Sequence, residues 1–387
     1  FLSGTVLNAV TIYALYATPE SMGDSAQRVW LTVFYFAWGI TYTLMDIPFW
    51  SMIPAITEPG SDREQLTSLA RTCSGIGDAI PTVLTMTVVP ILGAGSSMAD
   101  YRIGFKWWAL IIAVVFVISE LVCVVCVPER PVACDEKPGK ISDMFKALFK
   151  NDQAMTVVVS IILVYTSLNI CGNLVLYFFR FDVGNEGAYS IFAAVAFAAQ
   201  VLVMMVIPLL RKRFSKSQLF ISGFIIQIAG FAVILIMAFA KLYTPQSWYI
   251  LCLPGILIYL GYGMLNVIMT IFLSDSVDYG EVMNGTREES VIFSMQTFTV
   301  KLASGVAVFL AGLVVDWIHL DTAAAVQTQD TLDALRMWMT IPSVILLIVG
   351  IFVFKRFISW MIQGWKKLNP SLIKSCCLID KRRSKIK

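Results

Sequence analysis

The sequence predicts an all-α polytopic membrane protein, and three observations carry that expectation. The first is composition. Of 387 residues, 58% are hydrophobic and only 14% charged, against ~45–50% and ~25% in soluble domains; mean hydropathy is +0.76. The second is recurrence: one apolar run after another reaches the ~20 residues that a helix needs to cross a bilayer at 1.5 Å per residue. The third is spacing. The polar connections are too short to separate the two or three cores that a soluble chain of this length would build.

Ten segments meet the length measure, near 1–18, 29–54, 65–93, 104–127, 154–179, 188–210, 217–240, 247–273, 291–318 and 335–356. The first opens on Phe1 inside an apolar run, with neither an initiator Met nor a signal peptide, so the natural N-terminus is expected to be missing. The second carries Asp46 and Pro48, and the third carries Pro81 and Pro90 and is expected to bend. Neighbouring helices can satisfy the carbonyls that those prolines free. Segments beyond the minimum imply tilt, or helix that continues past the lipid.

The connection from Pro128 to Gln153 is the longest, with five basic residues and three prolines. It divides the chain into helices over 1–127, a middle loop 128–153, helices over 154–356 and a basic tail 357–387. Four helices precede the loop and six follow, which becomes six and six if two are missing before Phe1. A faint internal echo agrees: Arg63-Glu64 follows segment 29–54 as Arg287-Glu288 follows segment 247–273, and repeated halves are common in secondary transporters.

Lysine and arginine set orientation. The connections near 55–64, 128–153, 211–216 and 274–290, with the tail, hold most of them, and still hold the majority without the tail. That side is expected to be cytoplasmic, in the plasma membrane, with both ends of the chain on it. The tail, with Lys366-Lys367 and Lys381-Arg382-Arg383, reads as a solvated segment beside anionic lipid rather than a nucleic-acid site. The eight cysteines form no disulfide framework, and Cys123-Val-Val-Cys126 sits in a lipid-length helix, where small apolar side chains are the better reading. Cys376-Cys377 could be lipidated in a eukaryote, but inertness is the safer reading. One histidine, His319, is a poor basis for catalysis or metal binding.

The informative residues are charges inside spans, each costing roughly 2.5–3.5 kcal/mol at a helix centre without a partner or a wet cavity. They are Asp46, Arg71, Asp78, Glu120 and Lys301. One anion and two cations, Asp46 with Arg71 and Lys301, read as a functional set rather than as structural pairs. Asp78 and Glu120 carry less. Asp46 and Trp50 are four apart and share a helix face. A carboxylate accepts sugar hydroxyls, and an indole packs on the apolar face of a pyranose; the plainer reading of Trp50 is an interfacial anchor. Pro48 frees the Leu44 carbonyl, and Thr43 adds a hydroxyl, both oxygens suited to a hard cation. Gln296, Thr297 and Lys301 form a second cluster. Asn169 and Asn173 share a face, either to line a cavity or, the plainer reading, to bond between helices. Asp275, Asp278 and Glu281, followed by Arg287, stand at a helix end, as a solvated loop or as a cytoplasmic gate of ion pairs.

At these residues a resemblance becomes specific. Tyr42-Thr-Leu-Met-Asp46-Ile-Pro-Phe-Trp50-Ser51, Arg63-Glu64-Gln65-Leu66, Lys150-Asn151-Asp152-Gln153, Asp275-x-Val-Asp278-Tyr-Gly-Glu281 and Gln296-Thr297-x-x-x-Lys301 keep their order from about residue 30 to 305. Together they resemble the melibiose permease family, the glycoside–pentoside–hexuronide cation symporters of the major facilitator superfamily. The resemblance implies a twelve-helix fold, ten of them present here, and sugar uptake coupled to Na⁺, Li⁺ or H⁺, with no other cofactor or metal. By matched position, Asp46, Trp50, Arg71, Gln296, Thr297 and Lys301 would face the sugar. Thr43 and Gly39 would border the cation site, and Asp275, Asp278 and Arg287 would belong to the gate. Two departures stand out. The family's first two helices, with its main cation-binding carboxylates, would lie before Phe1. Asn266 replaces a tryptophan nine residues before Asp275, which removes an aromatic contact expected for melibiose.

The expected function is a symporter working as a monomer in the bilayer by alternating access, not an enzyme: no histidine-rich cluster, phosphate loop or nucleophile–base pair is present. The alternatives are a carrier of a lysolipid or other amphiphile, and a sensor that does not transport.

Overall fold

The computed structural model describes residues 2–19, 22–95, 98–127, 151–284, 289–322, 324 and 326–368. Within them run ten α-helices: α1 Leu2–Tyr16, α2 Asp24–Ile56, α3 Ser61–Gly93, α4 Met98–Cys126, α5 Asp152–Tyr177, α6 Ala188–Leu210, α7 Lys216–Phe239, α8 Cys252–Asn284, α9 Glu289–Trp317 and α10 Gln329–Leu368. A π-helical turn, Phe178–Val183, extends α5, and a 3₁₀ turn, Trp248–Leu251, leads into α8. Each helix falls on one of the ten apolar segments. Crossing a bilayer is a stricter requirement. Seven helices are long and apolar enough, eight if the bent α3 counts as one span. At 15 residues α1 is short, and α2 dilutes its apolar residues with threonine, tyrosine and glycine.

Local chemistry places the helix ends. Asn151 caps α5 by accepting from the Ala154 amide at 3.0 Å, which satisfies one of the orphan donors of the first turn. Ser215 and Gln218 form a reciprocal capping box at the start of α7. Pro81, inside α3, lacks the amide that would bond the preceding turn, and α3 bends by 53° between Ser61–Thr82 and Thr87–Gly93.

Two boundaries differ from the expectation. Asp275 and Asp278 do not lie in a loop, because α8 continues to Asn284. Hydropathy falls after Leu273, but no proline interrupts the chain there, and Asn151 holds the extension by donating to the Ser276 carbonyl at 2.8 Å. Likewise α10 runs on to Leu368, so the first part of the expected tail is helical. Most of the middle loop, the end of the tail and Arg287 lie outside the described residues.

Helices α1 to α4 pack on one another, as do α5 to α10, and the two sets meet where α3 lies along α6 and α8 and where α2 lies along α9. Phe220, Phe224 and Phe231 of α7 are wholly buried in the second set. There α8 approaches α7 through Gly261, where a Cβ would stand 2.6 Å from the Gly223 carbonyl oxygen. By contrast α4 is the most apolar and least buried of the spans, with Val115, Ile118, Val122 and Val125 turned outward. Lipid is as apolar as these side chains and imposes no penalty on their exposure.

Candidate functional site

Tyr42, Asp46 and Trp50 succeed one another every four residues on α2, so one face presents all three. Both rings donate to the same carboxylate oxygen: Trp50 Nε1 lies 3.0 Å and Tyr42 OH 3.2 Å from Asp46 Oδ1. The second oxygen, Oδ2, accepts from Thr297 Oγ1 of α9 at 2.7 Å. Asp46 is 9% exposed, and three neutral donors are what make a buried carboxylate tolerable.

Arg71 of α3 completes the cluster differently than charge pairing suggests. Its guanidinium lies over the Trp50 ring, 3.7 Å from the centroid, and Nε donates to Thr270 of α8 at 2.7 Å. Lys301 donates to the Gly39 carbonyl at 2.9 Å and to Thr43 Oγ1 at 2.7 Å, with its ammonium 4.8 Å from the Tyr42 ring centroid. Among the described residues no ion pair joins Asp46 to Arg71 or Lys301. An ammonium therefore already sits on the two oxygens expected to border the cation site. The Leu44 carbonyl freed by Pro48 faces α1 instead, 3.1 Å from where a Cβ on Gly4 would stand.

These residues line a cavity of about 680 Å³ between the two sets of helices. Its walls carry acceptors without donors: Gln200 Oε1, Asn266 Oδ1, Gln296 Oε1 and Glu120 Oε2 are buried and have no hydrogen-bond partner. An acceptor left unpaired costs about 1–3 kcal/mol, which a small turn of these side chains toward a hydroxyl-bearing ligand would relieve. Asn266 donates to Tyr165 OH at 2.9 Å and to Tyr262 OH at 3.2 Å, an amide and two phenols in the place of one indole. Asn169 and Asn173 do not bond between helices. Each donates to the carbonyl four residues back on α5, at 2.7 Å.

A second polar assembly closes one end of the bundle. Arg63, at the start of α3, is 1% exposed and reaches Asp278 at 2.5 Å and Asp275 at 3.6 Å on α8. It also donates to the Thr57 and Ser274 carbonyls. Its neighbour Glu64 accepts both arms of Arg211, at 2.9 and 3.0 Å, and Lys216 joins Asp275 to Glu64. Asp275 and Asp278 thus face the opposite set of helices. Sequence reading assigned Arg63, Glu64, Arg211 and Lys216 no gate role. Their one signal was the charged pair Arg63-Glu64 opening a helix.

At the far end of α5, Asp182 and Arg336 form a buried pair, 3% and 4% exposed, held by two N–H···O contacts of 2.9 and 2.5 Å. Tyr243 donates to the same carboxylate. Burial, and then that bond, raise the Tyr243 hydroxyl above its ordinary ionisation range.

A family model described as MFS/sugar transport protein matches residues 1–358. The chain belongs to this family. Its members are transporters, not enzymes, in agreement with the motifs on α2, α3, α8 and α9. The family chain is 25% identical over 368 residues to the raffinose carrier protein of Pediococcus pentosaceus, covering 92% of this chain and 56% of the relative. It is 24% identical over 369 residues to a lactose permease of Lactobacillus delbrueckii subsp. bulgaricus, covering 92% and 58%. The isoprimeverose transporter of Lactiplantibacillus pentosus is 24% identical over 341 residues, covering 87% and 70%. The chain thus spans little more than half the length of the first two. Among solved structures, the Escherichia coli fucose:proton symporter superposes with a TM-score of 0.62 at 13% identity, over 90% of this chain and 82% of that one. A bacterial homologue of the iron transporter ferroportin, in an outward-facing state, gives 0.64 at 14% identity, over 92% and 82%. At such identities the likeness is one of fold alone.

Proposed function

We propose that this protein carries a sugar or glycoside across the cell membrane, coupled to Na⁺, Li⁺ or H⁺, by alternating access. One observation supports this most: a buried carboxylate, Asp46, shares a cavity with an indole face and with several unpartnered acceptors. Acceptors and the Arg71 and Lys301 cations stand on one wall, and a polyol both donates and accepts at its hydroxyls. Arg71, Gln296, Thr297 and Lys301 would complete the sugar site, with Trp50 packing on a ring face. Lys301 would leave Gly39 and Thr43 when a cation or substrate draws it away.

In this reading the end closed by Arg63, Asp275, Asp278, Glu64, Arg211 and Lys216 is cytoplasmic, as is the basic tail. These pairs would hold that side shut while the cavity opens to the other. Cation and sugar bound together would favour the states that interconvert, and their effects on each other's affinity would be reciprocal.

Counterflow of labelled sugar into vesicles carrying the full-length protein tests transport. Saturable counterflow that rises with Na⁺, Li⁺ or a pH step is expected. Sugar binding without counterflow would indicate a sensor, and counterflow of a lysolipid uninhibited by glycosides would indicate an amphiphile carrier.

A further inference from the structure

The two oxygens expected to border a coupling cation, the Gly39 carbonyl and Thr43 Oγ1, hold the Lys301 ammonium, and the Asp46 carboxylate holds three donors. Another carboxylate is open. Among the described residues the Asp78 side chain makes no hydrogen bond or ion pair, although its backbone carbonyl accepts from Thr82. It stands on the wall of the first cavity and of a second, of about 340 Å³, that adjoins it. We propose that the second cavity binds a monovalent hard cation, Na⁺ or Li⁺, with Asp78 as its anionic ligand. The site rests on the reading of cation-coupled transport and gives that cation a place.

The wall supplies oxygens of the right kind. Asn169 and Asn173 line the second cavity, and their amide nitrogens donate to α5 carbonyls at 2.7 Å. A carbonyl only accepts, so neither amide can be turned over. Each side-chain oxygen is left unbonded and, unlike Asn266 Oδ1 or Gln296 Oε1, is not shut away from open space. Ser304 of α9 adds a hydroxyl. Beside Asp78, Pro81 has no amide to give to the Gly77 carbonyl one turn back, and a Cβ on Gly77 would meet nothing within 4 Å. Carbonyls freed in this way ligate cations in transporters. Among the described residues Asp78 is the only charged side chain on this wall, and neither cysteine nor histidine lines it. One carboxylate with neutral oxygens suits a hard ion of single charge. Arg71, Glu120, Asp46 and Lys301 line the first cavity alone. An unpaired carboxylate inside a span costs roughly 2.5–3.5 kcal/mol, which a bound cation offsets. Asp78 belongs to the first set of helices, Asn169, Asn173 and Ser304 to the second. Arg63 opens α3 at the closed end, and Asp78 lies two turns, about 10 Å, beyond Arg71. A cation held there would tie the two sets together on the far side of the sugar from the gate, which is how its binding would bias closure over the substrate.

The test separates the cation from the sugar. The full-length protein in lipid nanodiscs is titrated with NaCl and LiCl at fixed pH, with ionic strength held by choline chloride. Broadening of the lithium NMR signal reads cation binding without sugar, and the affinity for lactose, raffinose and isoprimeverose reads coupling. Saturable binding of Na⁺ or Li⁺ is expected, with tighter binding of at least one of the sugars when the cation is present. Asp78→Asn, which keeps the shape and removes the charge, is expected to raise the half-saturating cation concentration about tenfold or more and to leave sugar affinity without cation within about twofold. Asn173→Leu, which removes a neutral oxygen and leaves the charge, is expected to act in the same direction by a smaller factor, and decides the matter if the first variant does not fold. Cation binding unchanged in both variants, or a response of the unmodified protein to pH and not to Na⁺ or Li⁺, would overturn the site alone. No response to Na⁺, Li⁺ or pH would overturn the coupling reading and the site with it. Cation binding lost in Asp78→Asn from a protein that binds no sugar would uphold the site and overturn the sugar reading.

Discussion

Thr297 of α9 donates to Asp46 of α2 at 2.7 Å, a hydrogen bond across the boundary between the two sets of helices. The Asp46 carboxylate is thus a ligand of the opposing half as well as a candidate ligand of the substrate. Asp46→Asn keeps the shape and removes the charge. The Thr297 hydroxyl can rotate to accept from the new amide, while the oxygen facing Tyr42 and Trp50 is retained. The variant is expected to fold and insert normally and to lose sugar binding, read by titration beside a thermal unfolding scan. Near-normal binding would make Asp46 a structural residue.

Arg71 should not tolerate lysine. Its planar guanidinium both covers the Trp50 ring and donates to Thr270, and an ammonium cannot do both from the same position. Arg71→Lys is expected to weaken sugar affinity by about tenfold or more, since stacked arginine–aromatic contacts contribute roughly 0.5–2 kcal/mol before any bond to substrate is counted. Trp50→Phe, which keeps a ring and loses the N–H to Asp46, is expected to lie between the wild type and Trp50→Ala. Isothermal titration of the four proteins would rank them, and a Trp50→Phe loss equal to that of Trp50→Ala would contradict a stacking role.

Arg63→Ala should open the closed end. It removes the ion pairs that Asp275 and Asp278 make with α3 through Arg63, leaving the link from Asp275 through Lys216 to Glu64. Breaking one partner of a buried pair costs about 3–5 kcal/mol, enough to move a two-state balance by two decades or more. Labelling of the native Cys73, free, exposed and on the cavity wall, with the other cysteines replaced, reports access from that end. Faster labelling from the cytoplasmic face is expected in the variant, and unchanged labelling would remove the gate assignment.

Arg336→Ala should destabilise the fold strongly, by about 3–5 kcal/mol, because it strands the buried Asp182 carboxylate, and Asp182→Ala should cost less, because Arg336 keeps Asp333 at 2.6 Å. The double variant is expected to cost less than the sum of the two, the sign of a coupled pair. Tyr243 adds a pH signature. Its ionisation is raised in the folded state by burial and by the bond to Asp182, so its contribution is complete below the ordinary tyrosine value of about 10 and is lost as pH climbs beyond it. Thermal unfolding between neutral and strongly alkaline pH, compared with Tyr243→Phe, would show this.

Much of the fold was legible because length and apolarity along the chain record helices directly. Asp46 and Trp50 were legible for a local reason: four residues apart, they share a face whatever the rest of the chain does. The boundary at Leu273 was not, since hydropathy follows the lipid edge while helix continues in water until something stops it. Nor was the partnership of Arg63 with Asp278, more than two hundred residues apart, because spacing along a chain carries no information about which helix ends meet. Gln200 is the one polar residue in the apolar run from Ile191 to Leu210, and only the cavity beside it separates a site residue from a buried amide. The position of Lys301 on Gly39 and Thr43 was the reverse case. All three had been singled out, with the lysine assigned to the sugar and the two oxygens to the cation.

Arg63 is almost without contact with solvent, yet it carries a full charge and faces two carboxylates. Those groups cannot separate into a dry gap, so water must enter as they part. On the proposed gating, opening of that end would be a wetting event with a partly hydrated transition state. Hydrostatic pressure favours states that eliminate internal voids and should therefore hasten the step, while osmolytes that draw water from narrow crevices should slow it. The pace of the transport cycle would be set as much by the activity of water as by the concentration of sugar.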